Sequence, residues 1–329
     1  MGSAKYLISM GELSRKDNSI CFRVNNKNAY IPVENVSELY CLSEISLNSK
    51  LLDFLARNNI VVHFFNYYEG YSGSFYPKDN LVSGKLLIAQ VKAYENKRME
   101  IAKAFVCGIA ENIDDTLYHY YKHNKKEVKE TVDWIRKDFK KKVSEVDDIK
   151  QLMQVEGELW QRFYGDFKYI LPEDFVLNKR VKRPPDNPIN ALISFGNSLL
   201  YAKTVSTIYK THLDQRISFL HEPSEGRFSL SLDIAEVFKP IIADRLIFSL
   251  FNKNQITEKS FTRNLNYLHL DKDASKMIVS ELESRLEKTI KHKELGRSVS
   301  YKYLIKLECY KLIKHLIGEK DYDPFKIWW

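Results

Sequence analysis

At 329 residues, with 44% hydrophobic and 13% aromatic side chains, the chain is long enough for one large or two ordinary domains with real cores, which excludes disorder on a large scale. A formal charge of +8 and a pI of about 9.0 suit a polyanionic partner, because lysine and arginine displace condensed counterions from phosphate. Four scattered cysteines without a C-x-x-C pair, no run approaching the roughly 18 apolar residues of a membrane span, and no signal-peptide pattern at the start predict a reduced, soluble, cytoplasmic protein without a membrane partner.

From Lys5 to Tyr76, short segments rich in β-branched and aromatic residues recur: KYLIS, SICFRV, AYIPV, SELYCL, IVVHFF and GSFY. Asp17-Asn18, Asn25-Asn26 and Gly70 punctuate them. These segments predict a small all-β domain over 1–83, a sandwich or short barrel of antiparallel strands. One inserted helix, SLNSKLLDFLARNN, carries Leu47, Leu51, Leu52 and Leu55 on one side. Near Ser83-Gly84 the pattern becomes helical, for no proline falls between Pro77 and Pro172, and Leu87, Val91, Tyr94, Ile101 and Phe105 follow helical spacing. Residues 84–329 read as an all-α domain of about seven helices, over 85–122, 126–143, 147–169, 189–213, 230–252, 272–293 and 299–317. The fold class is therefore α+β, a strand domain followed by a larger helical one.

Two stretches are basic. In the first, from Lys122 to Lys142, Glu127, Glu130, Asp133 and Asp138 are interleaved with the lysines, which describes a solvated helix face. The second, NKRVKR, is the better candidate for DNA: Arg180 and Arg183 can grip phosphate oxygens, and Pro184, Pro185 and Pro188 stiffen the chain that follows. Pro188 suits the first turn of a helix, and Asn190 can offer hydrogen bonds beside it.

The chemistry concentrates in HEPSEGRFSLSLDIAEVFKPIIAD, from His221 to Asp244. Leu230, Ile234, Val237, Phe238 and Ile241 mark an apolar helix beginning near Ser229 or Ser231, and Asp233 and Glu236 interrupt its pattern. Three residues apart, the two acids lie on one face about a turn from each other, where both carboxylates can converge on one cation. His221 precedes them in a loop marked by Pro223 and Gly226, free to fold back over them. Glu222, Glu225 and Asp244 can tune these groups or pair with Lys239 and Arg245, and the other histidines, His63 and His315 among them, have no acid at ligand spacing in the sequence.

Glu156, in the helical run VEGELWQRFYGDF, is unremarked alone. Together with Arg183 to Gly196 (RPPDNPINALISFG), His221, Asp233 to Glu236 and the terminal DPFKIWW, it completes an ordered series that resembles the CRISPR-associated integrase family, the first of the two universal adaptation proteins. The resemblance spans nearly the whole chain. It implies a β-sandwich that pairs with its twin, a divalent cation (Mg²⁺ or Mn²⁺) bound by Glu156, His221 and Asp233, and Glu236 as a further ligand or a hydrogen-bonding acid. A mostly carboxylate site suits either metal, and the imidazole tilts it toward Mn²⁺. The implied reaction inserts spacer DNA into a CRISPR repeat by transesterification, with DNA, a second copy of the chain and the second universal adaptation protein as partners. The chain departs from the family in carrying Leu159 and Trp160 where smaller residues are common, Gln161 followed by Arg162 where an arginine is usual, and Glu236 where many relatives have Asp. These changes leave the metal chemistry in place and put in question the DNA contacts of Arg162. A structure-specific repair nuclease would share the metal centre without strand joining, and a non-catalytic DNA scaffold would have no use for the clustered acids. The absence of a G-x-x-x-x-G-K-S/T loop argues against an ATPase.

Overall fold

The computed structural model describes residues 2–78, 81–181, 185–226, 228–264 and 267–328. The chain forms two compact units, one of Met1–Asn80 with Ser260–Val279 and one of Leu81–Lys259 with Ser280–Trp329.

The first unit is strand-rich. Strands β1 (Ser3–Leu7), β2 (Gly11–Lys16), β3 (Ser19–Val24), β4 (Lys27–Pro32), β5 (Val36–Cys41) and β6 (Ile45–Leu47) precede helix α1 (Ser49–Arg57), and β7 (Val61–Phe65) and β8 (Tyr71–Phe75) follow it. They make two four-stranded sheets, ordered β1-β5-β7-β8 and β4-β3-β2-β6. One apolar core, including Leu7, Leu39 and Val62 of the first sheet, Leu13 and Ile20 of the second and Leu51 and Phe54 of α1, is shared by both, which makes the unit a sandwich. The pairing is mixed and not the all-antiparallel arrangement the strand spacing suggests. After β1 the chain leaves to build β2, β3 and β4 and returns as β5 parallel to β1, and α1 then serves as the crossover that brings β7 parallel to β5.

The second unit is mostly helical: α2 (Gly84–Lys122), α3 (Lys129–Trp134), α4 (Lys140–Glu145), α5 (Ile149–Gly165), α6 (Phe167–Ile170), α7 (Pro188–Tyr209), α8 (Ser229–Phe238) and α9 (Arg245–Asn252). The chain then returns to the first unit for the hairpin of β9 (Phe261–Asn264) with β10 (Tyr267–Leu270) and the first half of α10 (Lys272–Glu287), and ends in the second unit with the rest of α10, the hairpin of β11 (Thr289–Lys291) with β12 (Ser298–Ser300), and α11 (Tyr301–Leu316). The two hairpins correct the reading of everything beyond residue 84 as helix: each is only three or four residues a strand, too short for alternation to stand out beside the helical pattern. Side-chain caps start the main helices where the sequence offers them, with Ser83 accepting from the Leu86 amide, Asp148 from Gln151 and Asn187 from Asn190. Among the described residues no helix is long and apolar enough to cross a membrane.

Candidate active site

Helix α8 is buried on nearly every side, so an acid on it must be satisfied from within the protein. Asp233 has no exposed surface and is saturated. Its Oδ2 accepts the amides of Phe219 (2.7 Å) and Leu220 (3.0 Å), while its Oδ1 accepts the amide of His221 (3.0 Å) and lies 2.7 Å from His221 Nδ1. The loop that presents those amides is tied to α2, where Gln90 Nε2 donates to the carbonyls of Asp214 and Ile217, and Arg98 donates from Nε to the Phe219 carbonyl and from Nη2 to Glu222. Ser218 Oγ closes the turn by donating to the His221 carbonyl. Asp233 thus holds Nδ1 and turns Nε2 outward. Burial alone would lower the His221 pKa, but the hydrogen bond and charge of Asp233, with Glu236 and Glu156 behind it, raise it.

Glu156 sits on α5 in the middle of a buried face made by Leu152, Leu159 and Phe163, one turn from Trp160, whose indole Nε1 donates to its Oε1 at 2.6 Å. Burial first, and then the charge of Glu236, push its carboxyl up to about 7 against the pull of His221 and Lys239. Glu236, a turn beyond Asp233 on α8, pairs with Lys239 through Oε1, and its buried Oε2 has no hydrogen-bond partner. The Lys239 ammonium also lies 5.4 Å from the centre of the Trp160 ring. The sequence reading is therefore rearranged. All four residues meet, but the oxygens of Asp233 are filled by four donors, and the free donor set is Glu156, Glu236 and the Nε2 of His221.

This set has the chemistry of a divalent-cation site: a buried carboxyl whose pKa is raised by burial and by a second buried acid, one orphaned oxygen, and an ammonium already drawn to that second acid. It is open and not clamped. Among the described residues the one trio of candidate ligand atoms mutually within 4.8 Å is Glu100, His315 and Asp321, so Glu236 would leave Lys239 to share an ion with Glu156 and His221.

The sequence profile described as CRISPR associated protein Cas1 matches residues 5–284. The chain belongs to the Cas1 family. It is 50% identical to the CRISPR-associated endonuclease Cas1 of Fusobacterium nucleatum over 98% of this chain and 96% of that one, and 45% identical to CRISPR-associated endonuclease Cas1 2 of Thermodesulfovibrio yellowstonii over the full length of both. The solved structure of a CAS1 protein from Thermotoga maritima matches with a TM-score of 0.86 at 40% identity, covering 97% of this chain and 99% of that one. A casposase bound to integration product has the same fold, with a TM-score of 0.86 at 21% identity, covering 100% of this chain and 95% of that one.

The residues expected to touch DNA in this Cas1-family chain fall into three situations. Arg183 lies outside the described residues. Arg180 turns its guanidinium inward, donating to Asn190 Oδ1 (3.1 Å) and Ser194 Oγ (3.0 Å), and burial lowers its pKa. Asn190 has no exposed surface and is bonded to Lys179, Asp186, Arg180 and Val181, which ties residues 179–181 to the start of α7. Arg162 points away from Glu156, bonding to Glu158 (3.2 Å) with its guanidinium 4.3 Å from the Trp134 ring centre. The lysines and arginine of the first basic stretch largely pair with acids, Arg136 with Asp114, Lys140 with Glu111 and Lys142 with Glu158, as a solvated face should.

Two groups beside the site carry more than the sequence suggested. Trp160, read there only as a bulky departure, bonds Glu156. Asp244 is fully buried with neither oxygen hydrogen-bonded; burial first, helped by the charge of Glu236, pushes its pKa up to about 8 against the pull of Lys239 and Arg180. It does not pair with Arg245 in the way its neighbouring position invites.

Proposed function

We propose that the chain is a divalent-metal-dependent DNA endonuclease and integrase of CRISPR adaptation, in which Glu156, Glu236 and His221 hold Mg²⁺ or Mn²⁺ and Asp233 orients His221. The observation that carries this is the convergence of two buried acids and one oriented imidazole from α5, α8 and the loop before α8, in a chain whose relatives are named endonucleases. When bound, the ion would sharpen the attacking oxygen, polarise the phosphorus and stabilise the leaving oxygen of an in-line displacement. The residues supply the rest. Asp233 keeps the Nδ1 proton in place so that Nε2 presents a lone pair. Glu156 holds a proton near neutral pH and releases it as a cation enters. Trp160 fixes one oxygen of Glu156 and leaves the other to turn inward. The substrates are the 3′-hydroxyl of a spacer and a phosphodiester at the repeat boundary, and one diester replaces another, so no nucleotide cofactor is consumed.

The partners follow from the same reading: spacer and repeat DNA, a second copy of the chain, and the second universal adaptation protein. Strand β4 ends its sheet with its first four residues exposed, an open edge on which a second copy could pair. Arg162, partly exposed, and Arg183 are proposed to meet phosphates.

The test is a paired measurement on the full chain with labelled spacer and repeat. His221→Ala is expected to join spacers more slowly by orders of magnitude while its DNA affinity stays within about tenfold, or 1.4 kcal/mol, of the parent. Joining by a folded His221→Ala chain at the parental rate would remove the metal role, and cutting without joining by the parent would favour a repair nuclease.

A further inference from the structure

We propose that Asn112 and the C-terminal segment it holds, residues 321–328, are positioning elements for Glu236. This inference rests on the reading of Glu236 as a metal-holding acid.

Asn112, on α2, has no exposed surface, and three of its hydrogen bonds leave its own helix. Its Nδ2 donates to the carbonyls of Val237 and Phe325, each at 2.9 Å, and its Oδ1 accepts the amide of Ile327 at 2.9 Å. One side chain therefore joins the helix that bears Glu236, at the very next residue, to an extended terminal segment. The place matters because α8 ends there: Pro240 has no amide to give the helix, and the backbone opens into a wider turn, with the Asp244 amide reaching back to the Lys239 carbonyl. A helix end that its own ladder cannot hold is held from outside.

The segment is seated as firmly as Asn112 is. Phe325 stacks on Phe238 with ring centres 5.3 Å apart at 16°, two residues beyond Glu236. Glu308 of α11, almost completely buried, accepts the Tyr322 hydroxyl at 2.7 Å and the Phe325 amide at 3.0 Å. His315 accepts the Tyr322 amide on Nδ1 at 3.1 Å, so the neutral ring carries its proton on Nε2, which faces Glu100 at 3.7 Å. In that tautomer the His315 imidazole has no lone pair to offer an ion, and it serves as an anchor. Gly108 completes the seat, since a Cβ there would lie 2.7 Å from the Pro324 ring.

A residue that only stabilises the fold changes the melting temperature; one that positions Glu236 also changes how tightly the folded chain takes up a cation. The experiment is calorimetric titration of the full-length protein with Mn²⁺, comparing the parent, Glu236→Gln, Asn112→Ala, Gly108→Ala, and Gly108→Ala combined with Pro324→Gly. Asn112→Ala is expected to weaken binding by about tenfold or more, in the range found for outer partners of metal ligands. Gly108→Ala, which pushes on the segment without touching Asn112 or the acids, should weaken it severalfold, and Pro324→Gly in the same chain, which removes both atoms the new Cβ would meet, should restore it. Parental affinity in a folded Gly108→Ala or Asn112→Ala chain overturns this inference while the metal reading stands. Equal binding by the parent and Glu236→Gln overturns the metal reading and this inference with it.

Discussion

In the helical unit, half-buried His221 and buried His315 are each approached by acids, three at the first and two at the second, and they are built for opposite ends. At His221 the acid on Nδ1 is a buried carboxylate fixed by three amides, so Nε2 is directed toward Glu156 and Glu236. At His315 a backbone amide donates to Nδ1, so Nε2 holds the proton, and the acids around it, Glu100 and Asp321, are exposed. Proximity alone would favour the second trio as a metal site, because only its atoms already fall within 4.8 Å of one another among the described residues. Tautomer and burial reverse that order: what a ring nitrogen can do is set by the partner of the other nitrogen.

Replacing the residues that set those tautomers should break the comparison most strongly. Asp233→Asn removes the anionic acceptor of three amides and of the ring, and is expected to weaken Mn²⁺ binding by about 10- to 100-fold and to cost roughly 1–3 kcal/mol of stability. His315→Ala should lose stability on that same scale, leaving the buried Tyr322 amide without its acceptor, yet bind Mn²⁺ within about twofold of the parent. Calorimetry and urea denaturation on both variants check this, and equal losses of Mn²⁺ affinity would erase the distinction.

A moderate effect is expected from pH. Glu156 is raised from 4.5 to about 7 in the folded chain, so between those values the folded state holds a proton that the unfolded state has released. This group's contribution to stability therefore falls as pH rises through that window. Uptake of a cation expels the same proton, so Mn²⁺ affinity should climb from about pH 6 to 8 and level off beyond. Glu156→Gln removes this proton and should make the climb shallower in a pH series of calorimetric titrations, leaving the part that His221, whose pKa is also raised, contributes.

The smallest effect separates the two arginines of the basic loop. Arg180→Ala should leave the salt dependence of DNA binding nearly unchanged, because its guanidinium is already bonded to Asn190 and Ser194. Loss of a true phosphate contact would lower the slope by about one unit, as is expected for Arg183→Ala.

The architecture was largely legible in the sequence because period-2 and period-3.6 patterns report burial directly: the break near Ser83, the helix of α8 and the proline start of α7 all follow from local spacing. The short β2 was not, since GELSRK contains one buried apolar residue, Leu13, among partly or fully exposed neighbours. The four candidate site residues were picked out through their ordered resemblance to a family, but the different contacts the fold gives each of them were not legible. Nothing in D-x-x-E says that the first acid will be saturated by amides twelve to fourteen residues upstream while the second keeps a bare oxygen. Nor does an arginine in a basic loop announce that it folds inward, or an asparagine in the middle of a 39-residue helix that it will meet the last turn of α8 and the chain's end. Such roles arise from contacts between distant segments, which composition and period do not record.

The most direct test of the central claim is pulsed electron paramagnetic resonance of Mn²⁺ bound to protein labelled with ¹⁵N-histidine. The account predicts one imidazole nitrogen coupled to the ion in the parent, the same coupling in His315→Ala, and its loss in His221→Ala. A coupling that survives His221→Ala, or that disappears with His315→Ala, would contradict it.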